Sequence, residues 1–443
     1  MAHPQIDNRT LFTGDNLDVM RSLNSESVDL IYLDPPFNKK IVFPIGKDDN
    51  KEFGYKDIWG WNSKLDKRNP FLPYAELYAF GELIAAQNND NPLINSAMAK
   101  KIVCFLETMG ELEGHAEMAY LSFMAARLVE MQRLLKPTGS IYLHCDPTMS
   151  HSLKLLIDII FGSGNFRNEI IWAYTGPGSP NMKQFPRKHD SIFWYSKGNR
   201  WVFNREQLRV PYKDPRQTLR RAMDAGKGLG KDEIEKYRER GKLMENWWDD
   251  IALAVRSPHE RTGYPTQKPV ALLERIITAS SNKNDFVLDP FCGCATTCIA
   301  AERLNREWCG IDIASHAADL VRHRLLEETK QGKLGSKVPK IYHRKLDKGK
   351  YPIRTDLGEK RSKDIDIKRI LYGIQEGKCN LCKRLFEIRD FHIDHIMPKH
   401  KGGPDVDKNL QLLCGSCNSI KGTRSMETAR ERLRELGHMI KAA

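Results

Sequence analysis

No run of the 443 residues approaches the 18 or so consecutive apolar positions that a helical membrane span requires, so no such span is expected. The first thirty residues mix acids, bases and polar groups and lack the apolar core of a secretory signal, which points to an intracellular setting. Internal repeats and low-complexity tracts are missing as well. What remains is ordinary globular material, 40% hydrophobic and 29% charged, of a length that predicts two or three domains.

Acidic and basic residues balance through the first 320 positions, with 41 of each, whereas residues 321–443 carry 29 Lys+Arg against 16 Asp+Glu. The whole formal charge of +13 therefore sits in the last quarter of the chain. A basic region on a neutral body points to a polyanionic partner such as nucleic acid, because Lys and Arg gain affinity by displacing condensed counterions. A solubilising tail is the plainer reading of the same charge. The ten cysteines divide in a similar way. Cys104, Cys145, Cys292, Cys294, Cys298 and Cys309 are scattered and read as small buried apolar residues without chemistry, while Cys379, Cys382, Cys414 and Cys417 form two C-x-x-C pairs.

Strand-like and helix-like segments alternate through the first 325 residues, the pattern of an α/β domain with a mainly parallel sheet. SVDLIYL at Ser27 to Leu33, SIYLH at Ser140 to His144, DFVL at Asp285 to Leu288 and EWCGI at Glu307 to Ile311 read as buried strands. Met118 to Leu135 and Val270 to Ser280 have helical apolar spacing, and Lys136-Pro137-Thr138-Gly139 closes the first of them with breaker residues. Two stretches depart from the alternation, 38–112 with Tyr55, Trp59 and Trp61, and 175–262 with many Gly, Pro and Arg. Long excursions of this kind are functional loops or inserted subdomains, and the three aromatics either stack on bases or pack the insertion. Residues 328–365 read as a basic linker, followed by a compact unit of some 80 residues, 366–443.

The strand SVDLIYL runs directly into Asp34-Pro35-Pro36-Phe37, at the strand end where open α/β sheets place their ligands. By chance such a string should occur in roughly one chain of this length in a few hundred. A stiff strand-ending turn is the plain alternative. The tetrapeptide suits attack by an aromatic exocyclic amine, whose lone pair is delocalised into the ring and which needs acceptors for its two N–H bonds. Asp34 can accept one and the Pro35 carbonyl the other, from a backbone stiffened by the proline rings, while Phe37 offers a flat face to a base turned out of its helix.

A second landmark, Asp289-Pro290-Phe291-Cys292-Gly293-Cys294-Ala295-Thr296-Thr297, lies between strand DFVL and a helix-like CIAAERL. The following strand ends at Asp312, 19 residues beyond Gly293. A tight turn at a helix start with a carboxylate about 20 residues on is the geometry of a nucleoside pocket, although an ordinary strand–helix–strand crossover reads alike. One glycine instead of three argues for S-adenosylmethionine over a dinucleotide.

GDNLDVMRSLNSESVDLIYLDPPFN, then YPTQKPVALLERI, then VLDPFCGCATTCIAAERLNREWCGIDI resembles a permuted (β-class) amino-group DNA methyltransferase, with the catalytic motif ahead of the cofactor motif, over most of residues 10–325. The resemblance implies a Rossmann-like methyltransferase domain over 1–327, with Asp34, Pro35, Pro36 and Phe37 facing the target base and 175–262 as target-recognition region. It implies S-adenosylmethionine as cofactor, with Asp15 near its adenine, Asp289, Phe291 and Gly293 on its methionine side, Asp312 at its ribose, and Thr266 and Lys268 closing the pocket. An acidic first residue in DPPF favours the adenine N6 amine over the cytosine N4 amine. One departure stands out: Cys294-Ala295 replaces the family's usual Ser-Gly, which bears on cofactor affinity.

In the C-terminal unit, two C-x-x-C pairs some 30 residues apart point to a structural Zn2+ held by Cys379, Cys382, Cys414 and Cys417, with two redox dithiols as the alternative. A unit so small gains from the metal folding energy that its core does not supply. Between the pairs, Asp394 places a hard oxygen beside the base His395, a combination suited to phosphodiester hydrolysis. Residues 368–424 resemble the HNH (ββα-metal) endonucleases. That likeness implies His395 as the base that activates water, Asn409 as the residue orienting it, and Asp394 with Asn418 as ligands of Mg2+ or Mn2+. His392 and His400 read as surface or fold-supporting histidines.

Three whole-chain readings follow. The first is a cytoplasmic, nucleoid-associated enzyme of bacterial or phage type that methylates adenine in double-stranded DNA and cuts DNA with its C-terminal unit. The second keeps a methyltransferase of adenine or cytosine and gives the zinc unit a DNA-binding role alone. A non-catalytic DNA-binding protein is the third.

Overall fold

The computed structural model describes residues 6–38, 41–45, 52–57, 96–176, 183–212, 231–256, 260–262, 264, 266–314, 317–334, 338–345, 352, 368, 371, 375, 378–384, 386, 390–398, 400 and 409–436. In chain order the first half holds β1 (Thr10–Thr13), α1 (Asn16–Arg21), β2 (Val28–Leu33), β3 (Ile41–Ile45), β4 (Glu52–Asp57), α2 (Ser96–Leu112), α3 (His115–Leu134), β5 (Leu135–Cys145), α4 (Ser150–Phe161), β6 (Phe166–Ala173) and β7 (His189–Ser196). Then come β8 (Arg209–Val210), α5 (Lys231–Arg240), β9 (Lys242–Leu243), β10 (Trp247–Trp248), α6 (Val270–Ser280), β11 (Phe286–Asp289), α7 (Thr296–Arg303), β12 (Glu307–Asp312), α8 (Ala317–Lys330) and β13 (Tyr342–Lys345). The C-terminal unit adds β14 (Phe391–His395), β15 (Leu410–Cys414), α9 (Gly415–Lys421) and α10 (Met426–Glu435).

Nine strands form one sheet in the order β10-β6-β7-β5-β2-β11-β12-β1-β13. From β5 through β2, β11, β12, β1 and β13 all pairings are parallel, and the antiparallel β7 and β6 extend the other edge. The fold is thus mixed α/β and mostly parallel, as the sequence predicts. Strand β2 shows why its apolar run is unbroken: Ile31 and Leu33 enter the core that α2, α3 and α4 cover, while Leu30 and Tyr32 enter the opposite core beneath α6, α7 and α8. A strand buried on both faces has no polar alternation to display.

Two expectations are corrected here. The stretch 175–262, expected as a recognition excursion, contains β7, which pairs with β5 and β6 inside the sheet. Its run DSIFWYS is buried throughout and has the composition of a core strand. The expected linker 328–365 contains β13, which pairs with β1 in parallel from Thr10↔Tyr342 to Thr13↔Lys345. An edge strand needs an apolar face on one side only, so a basic run such as YHRK satisfies it and leaves little periodic signal. The sheet domain therefore reaches past the expected boundary at residue 327. Cys104 is exposed, whereas the other five scattered cysteines are buried.

Two strands, β14 and β15, pair antiparallel from Phe391↔Cys414 to His395↔Leu410, and α9 follows without a break. Their small core holds Leu371, Leu381, Phe391, Leu412, Leu413, Ala429 and Leu433 together with the four paired cysteines. Tyr55 lies on β4 without a described side chain, and Trp59 and Trp61 fall outside the described residues. No helix among the described residues is long and apolar enough to cross a membrane.

Candidate functional sites

Asp34 begins at the C-terminal end of β2, in the middle of the sheet. Lys268, 234 positions later, places its ammonium 2.5 Å from the Asp34 Oδ2. The other carboxylate oxygen, Oδ1, is buried and has no hydrogen-bond partner among the described residues. An orphaned buried acceptor costs on the order of 1–3 kcal/mol, and such a cost persists where a ligand's donor repays it. Pro35 and Phe37 are buried, and the Lys268 Nζ lies 5.5 Å from the Phe37 ring centroid. The structure thus places Lys268, expected to close the cofactor pocket, against the tetrapeptide. Thr266, expected to close the pocket, is exposed on a turn with φ +62°.

The cofactor-type residues converge on the adjoining strand ends. Asp289 closes β11 and is wholly buried; its Oδ2 accepts from the Thr297 hydroxyl and its Oδ1 from the Phe291 N–H at 3.1 Å. Burial pushes its pKa up to about 7, against the opposing effect of those two bonds. Asp312 at the end of β12 accepts from the Gly293 N–H at 2.8 Å through one oxygen and from the Ala314 N–H at 2.8 Å through the other. Gly293 has φ +50°, and a Cβ there would meet the Tyr264 ring at 3.1 Å, so a side chain at this turn would be strained and crowded. Ala295 carries φ +54° as the residue before α7, a left-handed strain that the family's glycine avoids.

Asp15 caps α1, accepting from the Leu17 N–H at 3.0 Å. A buried arginine that sequence reasoning did not single out, Arg127 on α3, ties this corner together: it donates to Asp15 at 2.8 Å and to Asn16 at 2.6 Å. Asn16 in turn donates to the Pro290 carbonyl at 2.7 Å, joining the two cofactor-type motifs. The set of three carboxylates, a glycine turn and an adjoining aromatic fits a nucleoside with a cationic sulfonium arm better than a diphosphate, for which anions are poor company.

Because the folded pKa of Asp289 lies above its unfolded value of 3.8, this group favours the folded state most below about pH 4, and that contribution is lost as pH rises through 7. Urea unfolding of the cofactor-free protein and of Asp289→Asn across pH 4.5–8 is expected to show the wild type losing ground to the variant as pH rises. A constant difference across that range would refute the burial argument.

In the C-terminal unit the Sγ atoms of Cys379, Cys382, Cys414 and Cys417 lie within 4.8 Å of one another, and among the described residues this is the one cluster suited to a metal ion. A tetrahedral ZnS4 centre with bonds of about 2.3 Å needs S–S edges of about 3.8 Å, and the Cys382–Cys414 pair stands at 4.0 Å. The four thiols fit Zn2+. Asp394 and His395 lie side by side on β14, half-buried, with Asn418 on α9. Asn409 both donates to the Met397 carbonyl at 3.0 Å and accepts from the Met397 N–H at 2.8 Å, so its amide fixes the loop two residues beyond His395. His392 and His400 are exposed.

Lys421, also missed, is fully buried; its ammonium pairs with Asp394 Oδ2 at 2.8 Å and donates to the His395 carbonyl at 2.7 Å. Gln411 donates to the same Oδ2 at 2.8 Å. Both bonds engage the same oxygen of Asp394.

The DNA methylase family profile matches residues 28–323, from β2 through α8, and the HNH endonuclease profile matches residues 379–424. Among curated proteins, the type II methyltransferase M.EcaI of Enterobacter cloacae is 29% identical over 260 residues, covering 47% of this chain and 58% of that protein. The type II methyltransferase M.HpaI of Haemophilus parainfluenzae is 32% identical over 210 residues, covering 47% of this chain and 60% of that protein. The DNA adenine methyltransferase YhdJ of Escherichia coli strain K12 is 27% identical over 318 residues, 72% of this chain and 82% of that protein. The chain thus spans about 58–60% of the length of the first two relatives.

Proposed function

The chain belongs to the DNA methylase family, and from that premise we propose that it moves a methyl group from S-adenosylmethionine to the exocyclic N6 amine of adenine in double-stranded DNA. The observation that carries this reading is the orphaned buried Oδ1 of Asp34, beside an Oδ2 already neutralised by Lys268, at the C-terminal end of a central strand. In this reading Asp34 Oδ1 accepts one amine N–H and the Pro35 carbonyl the other, which aims the nitrogen lone pair and leaves it available. Lys268 occupies the Oδ2 of Asp34 with a charge-assisted bond, so Oδ1 is the oxygen left for the amine. Phe37 takes the face of the extruded base.

Bound across the Asp289–Asp312 corner, S-adenosylmethionine would supply an electrophilic methyl group. Asp312 and Asp15 would accept from its hydroxyls and adenine, and Asp289, Phe291 and Gly293 would line its methionine side. The amine nitrogen would gain the methyl carbon as the donor's S–CH3 bond breaks and its electron pair stays on a neutral thioether sulfur, and one N–H proton would pass to water, so the protein's work is positioning. The adenine target is favoured by the acidic first residue of the tetrapeptide and by the likeness to an adenine methyltransferase. Residues 175–262, apart from the sheet strands β7 and β10, are the proposed recognition region.

For the C-terminal unit we propose a Zn2+-stabilised HNH nuclease in which His395 activates water and Asp394 with Asn418 holds one divalent cation. The engagement of Asp394 by Lys421 favours a second reading, in which this unit clamps DNA without cutting it. Plasmid incubated with the protein and labelled S-adenosylmethionine is expected to yield N6-methyladenine on nucleoside mass spectrometry. N4-methylcytosine would shift the target, and no methylated nucleoside would overturn the proposal. With Mg2+ or Mn2+ added, nicks are expected that disappear in His395→Ala. Absence of nicks, with DNA affinity lost on removing 366–443, would select the clamp.

A further inference from the structure

Beneath the catalytic tetrapeptide lies a polar chain that the proposed transfer step does not use. His144, on β5, is completely buried and is held at both ring nitrogens: the Tyr32 hydroxyl lies 2.8 Å from Nδ1 and the Asp190 Oδ2 lies 2.9 Å from Nε2. Nε2 faces the Asp190 carboxylate as its donor, and Nδ1 shares a hydrogen bond with the Tyr32 hydroxyl. The second oxygen of Asp190 accepts from the Tyr174 hydroxyl at 3.1 Å. Burial works against the Asp190 charge, but the hydrogen bond from His144, with the charge of Lys268 and the Tyr174 bond, holds its pKa below the ordinary value. Each member comes from a different place in the sheet: Tyr32 from β2, His144 from β5 and Asp190 from β7, with Tyr174 one residue beyond β6.

The His144 ring also packs against Phe37, centroids 6.3 Å apart and planes tilted by 34°, and edge-on against Trp172 at 5.8 Å. Trp172 donates to the Ile251 carbonyl at 2.9 Å, and Arg256 donates to the Thr175 hydroxyl at 2.9 Å, so the same cluster touches the segment 246–256. A buried polar group that is fully satisfied is rigid, and an imidazole fixed at both ends cannot turn without breaking a bond in a dry core.

We propose that His144 and Asp190 are a positioning pair that sets the plane of Phe37 and so the stacking of the extruded base, linking the recognition region to the catalytic strand end. The inference rests on the methyltransferase reading. Neither residue touches the reacting atoms; they act through Phe37 and Tyr32. Tyr32 precedes Asp34 by two positions on one strand, so a shift of His144 would reach the acceptor as well as the stacking face. Misplacement of the order of 1 Å costs about 10²-fold in a step governed by alignment.

The test uses the full chain with a duplex carrying the methylation site mapped by sequencing of treated DNA, with 2-aminopurine in place of the target base. Asp190→Asn keeps the shape and removes the charge that orients His144. It is expected to slow single-turnover methyl transfer about 30–100-fold on the unmodified duplex while S-adenosylmethionine affinity by calorimetry stays within threefold of wild type. Base extrusion should persist, but the 2-aminopurine emission quenched by stacking in the wild type should remain bright in the variant. Should Asp190→Asn fail to fold, Tyr174→Phe, which removes only the 3.1 Å bond at the half-buried end, is expected to move rate and emission the same way by a smaller factor. Unchanged rate and emission in a folded variant would overturn the pair. So would a rate loss matched by weaker cofactor binding, which marks a merely structural role. A wild type that transfers no methyl group to any DNA would instead defeat the functional reading on which the pair depends.

Discussion

Asp34→Asn is expected to reduce methyl transfer by about 10³-fold at saturating cofactor and DNA, the size of effect that follows loss of one preorganised polar contact in a closed site. The substitution keeps the shape and changes the electrostatics twice. The amide replaces one acceptor oxygen by an NH2 group, which faces the incoming amine donor against donor if it turns toward Oδ1. If it turns the other way, the NH2 group faces the Lys268 ammonium, now 2.5 Å from a donor instead of a carboxylate. Either orientation leaves one donor–donor contact in a partly buried corner, and the net charge of the pair rises by one. Calorimetry should show S-adenosylmethionine still binding, because Asp289, Asp312 and Asp15 are untouched. A variant retaining more than a tenth of wild-type single-turnover rate would remove Asp34 from the centre of the mechanism, whatever else the chain does.

The proposed catalytic corner was legible because its signals are local. Asp34-Pro35-Pro36-Phe37 follows a run of apolar residues that fixes a buried strand, and Asp289 to Gly293 repeats that logic on the neighbouring strand. The four cysteines are legible for the same reason, since each C-x-x-C pair is one turn long. What escaped notice depends on partners far apart in the chain. Lys268 meets Asp34 across 234 positions, and Arg127 meets Asp15 across 112. His144 reads as one more residue of a core strand until Asp190, 46 positions later, is seen to face it. Lys421 at the end of a short helix has the look of a solvated C-terminal charge, and only the fold turns it inward onto Asp394. The misplaced strands have a related cause: β13 is an edge strand of basic residues, and β7 is a core strand enclosed by segments rich in Gly, Pro and Arg, so composition averaged over the whole stretch concealed it.

Removal of the metal from the C-terminal unit is expected to have the second large effect, and a confined one. Among the described residues eleven form its buried core, and four of them are the cysteines. Without a bound ion those four thiols contribute little apolar burial and sit in mutual contact with no charge to organise them, whereas structural Zn2+ sites in small units contribute on the order of 10 kcal/mol or more. That exceeds the net stability such a core supplies alone. Chelation, or Cys379→Ser with loss of one zinc per chain by mass spectrometry, should therefore open residues 379–436 to proteolysis, while the nine-stranded sheet, which draws no residue from that unit, stays folded. Methyl transfer to a short duplex should survive within a few-fold, and affinity for long DNA should fall and lose part of its salt dependence, because the basic excess lies in 321–443. If the chelated protein kept its C-terminal unit protease-resistant, the cysteine cluster would be a set of buried thiols and the unit's stability would have to come from packing alone. If methyl transfer collapsed together with the zinc, the two units would share one cooperative fold, contrary to the separate cores that each possesses.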